Sequence, residues 1–163
     1  MGWPATELVE LATDARNDEP VAAVDLAEVT SEVAARYRRR SGRVITLTTT
    51  DAAVVEGRRA MLDRAVSNLV DNALKFSAPT GAVDVTVAGA CIEVADRGPG
   101  VPADERGRVF DRFYRTTEAR GRPGSGLGLS IVRQIAEVHH GTVSLHARDG
   151  GGTVARLELP APS

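Results

Sequence analysis

The stretch Asn68-Leu-Val-Asp-Asn-Ala-Leu-Lys-Phe76 decides how the rest of the sequence is interpreted. It closes a pattern of helical period that begins near Arg58. Four apolar residues share one face of this helix: Leu62, Val66, Leu69 and Ala73. Four others follow the neighbouring face: Asn68, Asn72, Lys75 and Phe76. Asparagine is a weak helix former, because its side chain competes for backbone hydrogen bonds, so two asparagines here indicate a use for their amides.

Two interpretations of this polar edge are open. In the first, Asn68 and Asn72 hydrogen-bond neighbouring loops at a partly solvated helix edge. In the second, the edge belongs to a magnesium–nucleotide site. An asparagine oxygen is a hard neutral ligand that suits Mg²⁺, which takes few protein ligands beside phosphates and water. A lysine one turn further on, Lys75, can bind phosphate as a point charge.

Composition limits the classes of protein that fit. The 163 residues are 42% apolar, which suits one domain with a real core, and the formal charge of −2 gives no field that attracts nucleic acid. A single cysteine, Cys91, excludes an internal disulfide, and its apolar strand context predicts an inert core position. No apolar run has the length of a membrane span, and no signal peptide is recognisable, so we expect a soluble cytoplasmic domain.

The remaining patterns predict strands and helices in mixed order. Expected strands cover residues 21–24, 44–48, 53–56, 83–87, 91–95, 142–147 and 153–159. Expected helices run from a cap at Asp25 to about Arg40, from Arg58 to near Pro79 or Gly81, and over 126–139. Hairpins of neighbouring strands beside helices predict an α/β two-layer sandwich, in which helices cover one face of a mixed sheet.

A second motif, Asp96-Arg-Gly-Pro-Gly100, follows the strand predicted over 91–95. Period-two alternation puts Asp96 on the same side as Ile92 and Val94, so a carboxylate faces the core. A buried carboxylate needs a donor. An Asx-turn to Gly98 could supply it, and so could the exocyclic amine of a purine, which glycines would let approach the backbone.

A third motif, Gly124-Ser-Gly-Leu-Gly-Leu-Ser130, opens a helix, where free N–H groups favour an anion, although a flexible hinge would also explain the glycines. The preceding residues 101–125 hold six arginines against four acidic residues, an excess of +2 that suits polyphosphate. Phe110-Asp-Arg-Phe-Tyr-Arg115 gives this loop an apolar anchor. A long loop over a site is typical of a mobile lid.

Together these stretches resemble, in the same order, the boxes of the ATP-binding domain of sensor histidine kinases. Asn68–Phe76 resembles the N box, and Asp96–Gly100 resembles the first glycine box. Phe110–Arg115 resembles the F box, and Gly124–Leu129 the second glycine box. The resemblance runs from about Asp25 to Pro160 and implies the Bergerat type of fold, a helical layer on a mixed sheet.

The resemblance also implies that the cofactors are ATP and Mg²⁺. Asn72 would bind Mg²⁺, Lys75 the phosphates and Asp96 the amine of adenine, with Phe76 packed beside the base. The residues expected to be catalytic are Asn68, Asn72, Lys75 and Arg115. Seven glycine-box positions are expected to contact the nucleotide: Gly98, Gly100, Gly124, Gly126, Leu127, Gly128 and Leu129. The position of Phe76 is commonly Tyr in this family, and the absence of the hydroxyl here costs at most one hydrogen bond.

A kinase of this family phosphorylates a histidine on a helical dimerisation domain. The three histidines here, His139, His140 and His146, lie at a helix end or in a strand, outside that context. We therefore expect residues 1–20 to be the stump of the preceding dimerisation helix with a linker, and 21–163 to be the catalytic domain. Alone it would be a monomer unable to phosphorylate itself. Its expected partners are the missing domain, in a membrane-anchored parent, and a response regulator.

Three other functions fit parts of the pattern. A serine kinase of the anti-sigma type shares the fold, but the F box and the helical stump argue against it. A hydrolase of the gyrase and chaperone kind would carry a Glu one turn before the Mg-binding Asn, where this chain has Asn68. A non-catalytic nucleotide-binding module would release no phosphate from ATP.

Overall fold

The computed structural model describes residues 19–78, 80–99 and 128–161. The strands in these ranges are β1 (Ala22–Asp25), β2 (Ile45–Thr50), β3 (Val54–Gly57), β4 (Val83–Ala88), β5 (Cys91–Ala95), β6 (Thr142–Ala147) and β7 (Thr153–Glu158). The helices are α1 (Leu26–Ser41), α2 (Arg59–Phe76) and α3 (Gly128–Val138). None of these helices is both long and apolar enough to cross a lipid bilayer. The helical piece predicted near the amino terminus and the predicted lid over 101–125 lie outside the described residues.

Five strands form the main sheet in the order β2-β4-β5-β7-β6. The β2–β4 pair is parallel, and the other three pairs are antiparallel, so the sheet is mixed as expected. The two remaining strands, β1 and β3, pair with each other instead of extending this sheet. Their pairing is continued by the N–H of Leu26, which donates to the carbonyl of Ala53 at 3.2 Å.

The core lies between the three helices and one face of the main sheet. Along β4, Val83, Val85 and Val87 are buried, whereas Asp84 and Thr86 are half-buried, as strand alternation requires. The apolar stripe expected on α2 is also buried, and its members are Leu62, Val66, Leu69 and Ala73. The structure therefore confirms the predicted two-layer α/β sandwich.

Local signals fix both ends of α1. The Asp25 Oδ1 accepts hydrogen bonds from the N–H groups of Ala27 at 3.0 Å and Glu28 at 3.4 Å. Gly42 ends the helix with a left-handed φ of 67°, which glycine adopts at little cost, and its N–H donates to the carbonyl of Arg38. The predicted cap and the approximate end of this helix are confirmed.

Two expectations need correction. Helix α2 ends at Phe76, before the predicted end near Pro79 or Gly81, because Ser77 turns the backbone to an extended conformation with φ −87° and ψ 161°. Cys91 is half-buried at the start of β5 and does not lie in the core. Burial still raises the pKa of its thiol, which disfavours the reactive thiolate.

Candidate functional site

Helix α2 carries the polar edge that the sequence predicts. Asn68, Asn72 and Phe76 are half-buried, and Lys75 is exposed, beside the fully buried stripe of the same helix. Helical spacing puts residues four apart above one another, so the three half-buried side chains follow one line toward the end of α2. The described part of the site is built along this line.

The Asn68 side chain reaches the start of α3. Its Nδ2 lies 3.4 Å from the carbonyl oxygen of Gly128, the first residue of that helix. The structure thereby brings the N-box stretch and the end of the second glycine box together, although they are 60 residues apart. This hydrogen bond agrees with the first interpretation of the polar edge for Asn68, except that the acceptor lies at the start of a helix and not in a loop.

Asn72, one turn further on, differs from Asn68. Within the ranges that the structure describes, its half-buried side-chain amide makes no hydrogen bond. An amide can accept two hydrogen bonds or a cation through its oxygen and donate two through its nitrogen. Among the described residues, neither the oxygen nor the nitrogen of the Asn72 amide is therefore occupied by a hydrogen bond.

Lys75 pairs with a residue that the sequence argument passed over. Its Nζ lies 3.0 Å from Oδ2 of Asp71, one helical turn earlier, and both side chains are more than 40% exposed. An exposed pair of this kind contributes only about 0.3–0.5 kcal/mol. Breaking the pair with Asp71 would therefore cost little.

Asp96 follows β5 and is buried, as the strand alternation predicted. Its Oδ1 accepts a hydrogen bond from the N–H of Gly98 at 2.8 Å, which is the expected Asx-turn. Its own N–H donates to the carbonyl of Thr153 at 2.9 Å. Burial raises the pKa of this carboxyl, and hydrogen bonding of the carboxylate with the backbone of Gly98 and Thr153 opposes the rise.

Gly98 has a packing role that the sequence did not indicate. A Cβ at this position would lie only 2.2 Å from the carbonyl oxygen of Phe76, so the turn after Asp96 rests directly on the end of α2. Sequence reasoning gave Gly98 the task of admitting a base to the backbone. The structure adds that only glycine lets the turn after Asp96 contact the end of α2.

Gly152 makes a second close backbone contact with this turn, at the carbonyl of Asp96. A Cβ at Gly152 would lie 2.0 Å from the carbonyl oxygen of Asp96, and Gly152 has a φ of 111°. Residues 148–152 join the strands predicted over 142–147 and 153–159, and their pattern did not indicate this contact or the burial of the neighbouring Thr153. The run of three glycines before a threonine was the available signal.

A cleft of about 600 Å³ opens at this end of α2. Its lining includes Phe76 and Gly98 together with three cationic side chains, those of Arg43, Lys75 and Arg97. Its described wall is thus positively charged beside the aromatic ring. Within the described ranges, no group of three or more His, Cys, Asp or Glu side chains could hold a metal ion, so a metal site built from protein carboxylates alone is not found there.

Several predicted residues fall outside the described ranges: Gly100, Arg115, Gly124, Gly126 and Leu127. Two of the predicted glycine-box residues are described. Gly128 begins α3 and is half-buried, and Leu129 packs partly against the core. Both lie in the first turn of α3, where backbone N–H groups have no partner inside the helix.

Comparison with known proteins agrees with this geometry. Residues 57–163 match the family described as histidine kinase-, DNA gyrase B- and HSP90-like ATPase. The signal transduction histidine-protein kinase/phosphatase MprB of Mycolicibacterium vanbaalenii is 41% identical over 152 residues, which are 90% of this chain and 31% of that relative. The chain thus spans about a third of the length of such relatives.

Solved structures give the same assignment. The mycobacterial sensor histidine kinase MprB is 38% identical with a TM-score of 0.77, and the match covers 86% of this chain and 99% of that one. The ATP-binding domain of PrrB from Mycobacterium tuberculosis is 31% identical with a TM-score of 0.70, covering 88% and 98%. The chain therefore belongs to the histidine kinase-, DNA gyrase B- and HSP90-like ATPase family, as the catalytic ATP-binding domain of a sensor histidine kinase.

Proposed function

We propose that this domain binds Mg–ATP and presents its γ-phosphate to a histidine on a separate dimerisation domain. One observation carries the proposal: the buried Asp96 turn rests on Phe76, one helical turn beyond Asn72, whose amide makes no hydrogen bond to the described residues. A base read by Asp96 would then lie at one end of the polar edge of α2, and its phosphates would extend along that edge toward α3.

Asp96 would select adenine. Oδ1 accepts the Gly98 N–H, and a carboxylate has about four acceptor sites, so Asp96 can also accept a hydrogen bond from the exocyclic amine of the base. Guanine has a carbonyl oxygen at that position and cannot donate. The half-buried ring of Phe76 would pack beside the base, as the family resemblance implies.

Asn72 fits the role of magnesium ligand. Mg²⁺ commonly takes one or two protein oxygens beside phosphate oxygens and water, and the Asn72 amide is half-buried without a hydrogen bond in the described part of the chain. The ion would supply charge neutralisation at the phosphates. Lys75 would leave Asp71 to bind phosphate, and the first-turn N–H groups at Gly128 and Leu129 would face its negative charge.

The remaining expectations rest on the family. Arg115 and the glycine-box residues between 100 and 127 would complete the phosphate site beneath a closing lid. The parent would be a membrane-anchored sensor with this domain in the cytoplasm. Its acceptor histidine would lie on its own dimerisation domain, and a response regulator would receive the phosphate.

The test is phosphotransfer in trans. The chain is mixed with γ-labelled ATP, Mg²⁺ and the separately purified dimerisation domain of the full-length parent. We expect acid-labile label on the added domain and none on this chain. Asn72→Ala should abolish the transfer, whereas His146→Ala, on an exposed strand away from α2, should leave it unchanged.

The outcome separates the alternatives. Acid-stable label on this chain or on a serine of a partner would replace the histidine kinase function by that of the anti-sigma type. Rapid release of free phosphate with no labelled protein would indicate a hydrolase. Binding of ATP with neither result would leave a non-catalytic nucleotide module.

A further inference from the structure

Arg43 lies in the short connection between α1 and β2, outside every motif that the sequence analysis identified. Its Nη1 donates to the carbonyl of Leu74 at 2.9 Å. Its Nη2 donates to the Ser77 Oγ and to the carbonyl of Ala78, both at 2.6 Å, and to the carbonyl of Gly81 at 2.9 Å. Since one Nη carries two hydrogens, these three acceptors share them.

The four acceptors belong to the last turn of α2 and to the connection that leads to β4. Carbonyl groups in the last turn of a helix lack donors inside the helix, and a cation there is favoured by the helix dipole. Helix α2 ends without a glycine cap, because Ser77 follows it in an extended conformation. The guanidinium of Arg43 takes over this capping from a distant part of the chain.

The end of α2 in turn supports the base-reading turn. Phe76 lies between two residues that Arg43 holds, Leu74 and Ser77, and its carbonyl oxygen touches Gly98. Gly98 N–H then fixes one oxygen of Asp96. Hydrogen bonds, the main chain at the end of α2 and the contact with Gly98 therefore connect Arg43 to the Asp96 carboxylate, which would bind the amine of adenine.

We infer that Arg43 is a positioning residue for the nucleotide base, acting through the end of α2 on Phe76 and Asp96. The inference rests on the proposed function, because it assumes that adenine binds between these two residues. Arg43 also lines the cationic cleft, but its four backbone and hydroxyl acceptors assign it to the protein wall and not to the phosphates.

The test compares Arg43→Gln with the unmodified chain in binding ATP and adenosine by calorimetry, at a temperature where both are folded. We expect both ligands to bind about tenfold more weakly in Arg43→Gln, by the same factor, since the base end is displaced. The amide resonance of Gly98 should also shift. Arg43→Lys, which keeps the charge but not the fork of donors, should restore little of the affinity.

Arg38→Gln is the matched control. Arg38 belongs to the same region and donates through Nε to one carbonyl, that of Ile45, at 2.8 Å. Its loss should leave both affinities within about twofold, as for surface changes in general.

Three results would overturn the inference. Weaker ATP binding with unchanged adenosine binding would mean that Arg43 contacts phosphate directly. A lower melting temperature of Arg43→Gln with unchanged affinities would mean that the role of Arg43 is purely structural. If Arg43→Gln does not fold, unchanged affinities in Arg43→Lys would lead to the same conclusion. Failure of the unmodified chain to bind ATP would instead remove the proposed function.

Discussion

The backbone N–H of Arg58 donates to Nε2 of His139 at 3.0 Å, across 81 residues of sequence. The other ring nitrogen, Nδ1, lies 2.9 Å from the carbonyl of Ile135 and must carry the hydrogen, because Nε2 accepts. Gly57 makes room for the ring, since a Cβ there would lie 2.9 Å from it. Helix α2 therefore starts against a buried neutral imidazole from the end of α3.

His139→Phe should destabilise the domain. The new ring keeps a planar shape but cannot accept a hydrogen bond from the Arg58 N–H. Loss of a partner for a half-buried donor costs about 1–3 kcal/mol. Urea unfolding should show a lower midpoint with an unchanged slope. His146→Phe, on the exposed part of β6, should stay within about 0.5 kcal/mol, and an equal loss in both variants would contradict the cap.

These contacts mark the limit of what the sequence could predict. The buried stripe of α2 and the inward direction of Asp96 follow from local periodicity, because a helix and a strand each repeat over a few residues. The bond from Arg58 to His139 and the contact of Gly98 with Phe76 join segments with no shared pattern. Only the packed structure brings such segments together.

The same distinction applies to the cations. Lys75 was predicted because it follows Asn72 within one motif, whereas Arg43 lies alone between α1 and β2. An isolated arginine has no spacing that indicates its acceptors. The pairing of β1 with β3 was missed for a similar reason, since short strands carry little information about their neighbours.

Asp96→Asn should weaken ATP binding. The substitution removes the charge and directs an amide toward the amine of the base, where two donors would meet. Such a buried mismatch costs about 1–3 kcal/mol, or about ten- to a hundredfold in affinity. GTP should bind poorly to the unmodified chain. Equal calorimetric affinities for ATP and GTP would remove Asp96 from the reading of the base.

The stability of the domain and its affinity for ATP should both depend on pH through Asp96. Burial raises the pKa of this carboxyl, so the folded domain keeps its proton at a pH where the unfolded chain has lost it. Its contribution to stability is therefore present below the unfolded pKa and is lost as the pH rises through the folded pKa.

Binding depends on pH in the opposite direction, because an ionised carboxylate is a stronger acceptor for the amine of adenine than a protonated carboxyl. Affinity should fall as the pH drops through the raised pKa, with proton release on binding. Adenosine, which has no phosphate to titrate, is the ligand to use, and Asp96→Asn is the control that should lose the dependence. Equal pH profiles for the two chains would contradict the assignment.

The last prediction concerns hydrolysis and rests on Asn68. In hydrolases that share this fold, a glutamate one turn before the Mg-binding asparagine activates water. Here that position holds Asn68, whose Nδ2 lies 3.4 Å from the Gly128 carbonyl. A neutral amide cannot take a proton from water at neutral pH. A general base typically contributes about 10²–10⁴-fold, so the domain should bind ATP but turn it over little faster than buffer does.

A kinase benefits from this arrangement, because ATP must persist until the acceptor histidine arrives. Asn68→Glu would put a carboxylate one turn before Asn72, and we expect phosphate release to rise at least about tenfold. Asn68→Gln has a similar length without a base and should not raise the rate. A steady-state ATPase of the unmodified chain that Asn72→Ala abolishes would mean that another residue supplies the base, and the chain would then act as a hydrolase.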